Sequence, residues 1–142
     1  MSQTKKERIC YAGFMHRYDD QRFVHKQCAA LVKQGYDVVY FAQADSEKVV
    51  NGVKVVPVPN VRNLLHRLWM PWQLFPKLLK HKCKVYHFVD PELIIIGLIL
   101  KLFFRKIVLF DAHEDYVEYA RISPYIKGPV KTLCIWLFYS LL

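Results

Sequence analysis

Three short stretches of the chain gather ionisable side chains at spacings that suit a ligand site. They are Gly13-Phe14-Met15-His16-Arg17, His87-Phe88-Val89-Asp90-Pro91-Glu92 and Asp111-Ala112-His113-Glu114-Asp115. Imidazoles beside carboxylates can move a proton, hold a substrate hydroxyl or ligate a metal. Each stretch ends an apolar run, and so much ionisable surface at a buried strand end has a desolvation cost that function usually explains. Several chemistries are excluded by what is missing. No His-x-x-x-His or cysteine-rich spacing supports a metal, so none is expected. Gly-x-Ser-x-Gly, the nucleophile elbow of a hydrolase, is absent. Only Gly13 stands where a dinucleotide fold carries Gly-x-Gly-x-x-Gly, which argues against NAD and leaves open phosphate binding by a glycine loop and a helix N-terminus. His25, His66 and His81 read as hydrogen-bonded structural residues.

The elements that must position these clusters alternate between strand and helix. Arg8 to Phe14 reads as a strand apolar on both faces. Asp19 or Asp20 then caps a helix running to Gln34, with Phe23, Val24, Cys28 and Leu31 on its inner face and Gly35 ending it. Tyr36 to Ala42 is a second strand. Val49 to Val56 forms a hairpin about Asn51-Gly52, either as a flap or with its second arm in the main sheet. Pro71 and Pro76 are expected to break residues 61–82 into two or three short helices. Cys83 to Val89, Leu93 to Phe104 and Ile107 to Phe110 read as strand, buried crossover helix and buried strand, and Gly128-Pro129 opens a last helix. The pattern predicts an α/β fold, a Rossmann-like parallel sheet with helices on both faces and its ligands beyond the carboxyl ends of the strands.

At 142 residues the chain has the length of one domain, and 54% apolar content excludes disorder. A net charge of +9 favours anionic partners. No nucleic-acid motif accompanies that charge, so nucleic acid is not expected. Residues 61–82 mix lysine and arginine with leucine and tryptophan. They read either as a surface helix pair with a solvated face or as a surface that docks on anionic membrane. Cys10, Cys28, Cys83 and Cys134 are scattered, as reduced core thiols would be. The polar N-terminus lacks a secretory signal, and no run reaches the roughly 20 apolar residues of a membrane span. These features predict a cytoplasmic protein, and the membrane-docking reading of residues 61–82 would make it peripheral on the inner face of the cell membrane. Thr132 to Leu142 is apolar almost all round and uncapped, so a longer protein or a partner is expected to cover it.

Four pieces in order carry a resemblance: the first strand with its Gly13 loop, Asn51 to Pro59, Tyr86 to Glu92, and Ile107 to Tyr116. Together they resemble the N-terminal half of a GT-B glycosyltransferase, close to glycosyltransferase family 4. The resemblance implies a Rossmann-like acceptor-side domain over residues 1–142, inactive alone, that closes on a C-terminal domain absent from this chain. That second domain would bind the nucleotide-sugar donor. The acceptor would be a glycan or lipid-linked sugar of cell-surface polysaccharide or glycolipid synthesis, with no bound metal. Gly13 would lie near the donor phosphates and His113 against the transferred sugar, as the catalytic residue. His16, His87, Asp90 and Glu114 would position substrates. Two other readings stay open: a non-catalytic module binding a partner protein or anionic membrane, and a fragment of a GT-B-like sugar-nucleotide epimerase.

Overall fold

The computed structural model describes residues 6–112, together with 128, 129 and 132. Contacts divide the chain into a unit spanning Met1–Asp111 and a second spanning Ala112–Leu142. Every element below belongs to the first, and the expected last helix lies almost wholly outside the described residues.

Six strands form one sheet: β1 (Arg8–Arg17), β2 (Asp37–Gln43), β3 (Lys48–Val50), β4 (Val53–Val58), β5 (Val85–Phe88) and β6 (Ile107–Phe110). Their order is β3-β4-β2-β1-β5-β6, and all neighbours are parallel except β3 and β4. Asn51 and Gly52 both take positive φ (51° and 80°) in the hairpin turn, as their types allow. The second arm of that hairpin, β4, joins the main sheet beside β2.

Alternation along the strands splits the core in two. On one face Cys10, Ala12 and Phe14 pack with Met70, Leu74 and Leu78 of α2 (Leu64–Lys80) and with Ile96 and Leu100 of α3 (Ile94–Phe104). On the other, Ile9, Tyr11 and Tyr40 meet Phe23, Val24 and Cys28 from a wide-turned helical segment, Gln21–Cys28, that runs into α1 (Ala29–Lys33). Helices thus cover both faces, the α/β Rossmann-like arrangement expected. Cys10, Cys28 and Cys83 are free and buried; Cys134 lies outside the described residues.

Three expectations need correction. Residues 61–82 do not break at their prolines: α2 is one 17-residue helix with Pro71 and Pro76 inside it. Interior proline costs about 3 kcal/mol. Burial of Met70, Leu74 and Leu78, spaced four apart along one stripe, returns roughly 1.5–3 kcal/mol for each side chain. Asn63 caps the start through His66 N (2.8 Å), and Tyr86 Oη donates to the Leu78 carbonyl near the end (3.2 Å). Packing therefore overrides propensity. Strand β6 is not buried on both faces: as the sheet edge it packs Val108 and Phe110 on the core and leaves Ile107 and Leu109 half exposed. Helix α3, too, is buried only along Ile96, Gly97 and Leu100. Among the described residues no helix is long and apolar enough to cross a membrane.

Candidate functional site

The chain builds β1, β2 and β4 outward to one side, then crosses over to add β5 and β6 on the other side of β1. The direction of winding reverses between β1 and β5. In an open parallel sheet the crevice beyond the strand ends opens at that reversal, and two of the three polar clusters sit on its rims.

On the β1 side, regular pairing stops at Ala12, opposite Phe41 and Phe88, and resumes only at Arg17 opposite Gln43. Gly13 to His16 are therefore an irregular excursion of β1 rather than a loop after it. Gly13 is required there for space: a Cβ would stand 2.5 Å from Val89 Cγ2 and 3.0 Å from His16 Cδ2. The missing side chain lets the ends of β1 and β5 close up. Asp90 completes the junction. It is 4% exposed, and its Oδ2 accepts from Met15 N at 3.2 Å. Burial pushes its carboxyl up to about 6, although the backbone hydrogen bond from Met15 opposes the shift. His16 lies between two carboxylates, with Nε2 3.6 Å from Asp90 Oδ1 and Nδ1 3.7 Å from Asp20 Oδ2, and its ring meets Phe23 edge-on.

Asp20 has a second role. Its Oδ1 accepts from Arg22 N (2.9 Å) and Phe23 N (3.0 Å), capping the helical segment. A carboxylate thus occupies the first-turn donors that a phosphate would use.

The β5 and β6 ends form the other side. His87 stacks on Tyr11 with centroids 4.2 Å apart. Its Nε2 is buried, 3.9 Å from Asp111 Oδ2, too long for a hydrogen bond. Burial holds the imidazole below its ordinary pKa, against the pull of Asp111 and with help from Arg22. Arg22 Nη2 donates to both Asp111 oxygens at 3.2 and 3.1 Å. Behind Asp90, Arg67 Nε donates to Glu92 Oε1 at 2.5 Å, so the start of α2 is tied to the short turn Pro91–Leu93. Next to the crevice, at the ends of β1, β2 and β4, a cavity of about 360 Å³ is lined by Arg17, Tyr18, Gln43, Asp45, Val58 and Asn60.

Of the residues expected at the site, Gly13, His16, His87 and Asp90 lie at adjoining strand ends, and His16 and Asp90 face each other directly. His113 and Glu114 lie outside the described residues. His25 and His66 have the structural roles expected: His25 Nδ1 bonds Asn51 Nδ2 (2.8 Å) and His66 Nδ1 accepts from Arg62 N. Sequence reasoning missed Arg22 and Arg67. For Arg22 a signal existed, because a cation two residues after a capping aspartate must stand near the strand ends. For Arg67 there was none, since its partner lies 25 residues away and only the packing of α2 joins them.

Chemically, the crevice is rich in carboxylates among the described residues, where Arg22 is paired with Asp111 and Arg67 with Glu92. Such a lining suits a hydroxyl-bearing ligand, whose O–H groups find acceptors in Asp111 and the His16 imidazole. Among the described residues no three His, Cys, Asp or Glu side chains are grouped to hold a metal. A sequence model of the family described as Glycosyltransferase Family 4 matches residues 21–142. No curated protein matches the chain.

Proposed function

The chain belongs to glycosyltransferase family 4, and from that membership we propose that its described unit is the acceptor-side half of a sugar-transfer cleft. The reaction is transfer of a sugar from a nucleotide-sugar donor to a glycan or lipid-linked acceptor in cell-surface polysaccharide or glycolipid synthesis. One observation carries the reading: His16 and Asp90 meet at the switch between β1 and β5, in a carboxylate-lined crevice. His16, with its side chain 22% exposed, receives the acceptor hydroxyl, while buried Asp90 and the capping Asp20 flank the imidazole and favour its protonated form. His87 and Asp111 line the next strand ends. His113 is assigned to the transferred sugar and Glu114 to substrate positioning, both on the family resemblance. The donor diphosphate is assigned to a second, donor-binding domain, because the described crevice already holds its own carboxylates. No metal step is needed for these roles.

Transfer depends on holding donor and acceptor together. We therefore expect little turnover from the chain alone, and acceptor-dependent release of nucleoside diphosphate when a donor-binding half of the family is fused after Leu142. In that fusion His16→Ala should lower kcat/KM by about 10²-fold or more, the usual scale of a positioned acid–base group. His113→Ala tests the assigned sugar contact in the same assay, and an unchanged rate would remove it. If His16→Ala and Asp90→Ala both leave transfer unchanged, the proposed crevice is not the acceptor site.

A further inference from the structure

The outer surface of the α2 and α3 layer takes no part in the crevice and has an unusual composition. From Val61 to Lys82 there is no Asp or Glu, and there is none from Leu93 to Phe110. The two helices lie side by side on one sheet face, joined by Arg67 and Glu92 near their starts and by Phe75 against Phe104 (6.0 Å between centroids) farther along. Opposite its buried stripe, α2 presents Leu65, Leu68, Trp69 and Trp72, and α3 presents Ile95, Leu98, Leu102 and Phe103, all exposed. Trp69 is 60% exposed and Phe103 78%. Toward the far end of each helix the exposed positions turn basic: Lys77 and Lys80 on α2, Lys101 on α3 and Arg105 just past its end.

An apolar surface of this breadth marks an interaction site on a soluble domain. A solvated face would carry mixed charges, and the core of a protein interface is depleted in lysine as well as in acids, whereas here the acids are missing while Lys77, Lys80, Lys101 and Arg105 remain at the border of the apolar stripes. We infer that this layer docks on an anionic lipid bilayer, with the tryptophans and Phe103 entering the head-group boundary and the lysines and arginine meeting lipid phosphates. The inference goes beyond sugar transfer and does not depend on it. Its geometry has a consequence for access. Helices that follow parallel strands run back along the sheet, so the starts of α2 and α3, where Leu65, Trp69, Ile95 and Leu98 stand, lie on the same edge as the crevice. A bilayer seated there adjoins the crevice mouth.

The test is co-sedimentation of the full chain with mixed phosphatidylglycerol and phosphatidylcholine vesicles and with pure phosphatidylcholine vesicles, at low and high salt. Binding should be strong on the anionic vesicles, weak on the neutral ones and reduced by salt. Lys77→Gln with Lys80→Gln should lower partitioning by roughly 30-fold, the product of two lysine contacts. Trp69→Ser with Trp72→Ser should lower it on both compositions. Lys26→Gln with Lys33→Gln, on the opposite sheet face, should leave it unchanged. Equal loss from that control pair means that net charge alone drives binding, and it overturns the inference. So does self-association that depends on Trp69 and Trp72 without vesicle binding, which identifies a second copy as the occupant. Circular dichroism of each variant separates loss of binding from loss of fold. Because His16→Ala should leave vesicle binding intact, failure of the transfer reading and failure of this one are distinguishable.

Discussion

The two sides of the crevice handle buried ionisable groups in opposite ways. At the β1–β5 junction a carboxyl is buried, Asp90, and its pKa rises to about 6 because burial disfavours its charged form. At the β5–β6 edge an imidazole is buried, His87, and for the same reason its pKa falls. The residues stand three apart on one strand end, yet acid acts on them in opposite directions. Asp90 favours the folded state most when protonated. That contribution is fully present below its unfolded value near 3.8, declines as pH rises through about 6, and stays absent above. His87 favours folding when neutral. Its contribution is present above its unfolded value of 6.5 and is lost as pH falls through the lowered folded value. The junction is also the stiffer side, since Gly13 and Val89 meet there without room for a methyl group. At the other side β6 has, among the described residues, one strand neighbour, and a partly solvated ion pair stands at its end.

The contrast can be broken by substitution. Gly13→Val should be the most destabilising: its added carbons meet Val89, and overpacking of this kind costs about 1–3 kcal/mol in urea denaturation. Adding Val89→Ala should recover part of that loss, and strict additivity of the two would show that they do not touch. Asp90→Asn should raise stability at neutral pH by about 1–3 kcal/mol, since it removes a buried charge whose penalty follows from the raised pKa. The same variant should lose the decline between pH 4 and 6 and leave the acid-side loss from His87 standing alone. A flat neutral-pH stability together with an unchanged pH profile would remove Asp90 from this role. At the edge, Arg22→Ala should cost no more than about 1 kcal/mol, because the arginine is partly solvated. Its sharper readout is the His87 imidazole, which should titrate at higher pH by NMR once the neighbouring cation is gone. In Asp111→Asn the same resonance should move lower.

The stabilising effect expected of Asp90→Asn also bears on function. A residue that keeps a neutral-pH penalty at a strand end is what a site retained for binding would show. By the same logic the fold tolerates two prolines in α2 because Leu74 and Leu78 are fully buried and the helix is anchored at both ends.

Much of this protein was readable along the chain. Apolar runs marked the strands, Asp20 and Gly35 bounded the first helix, Asn51-Gly52 gave the hairpin, and each polar cluster followed an apolar run, because such signals are local in periodicity and residue type. The family followed from the same clusters in order. Tertiary structure alone decided the rest, since it rests on contacts between residues far apart in sequence. It set the strand order that puts the winding reversal between β1 and β5, and so decided that His16 meets Asp90. It made β6 an edge, which halved the burial expected from its apolar sequence. It turned the proline-broken segment into one helix, since side-chain burial outweighs the lost hydrogen bonds. And it set α2 beside α3, joining two apolar, acid-free stripes that the sequence separates by more than a strand's length into one surface.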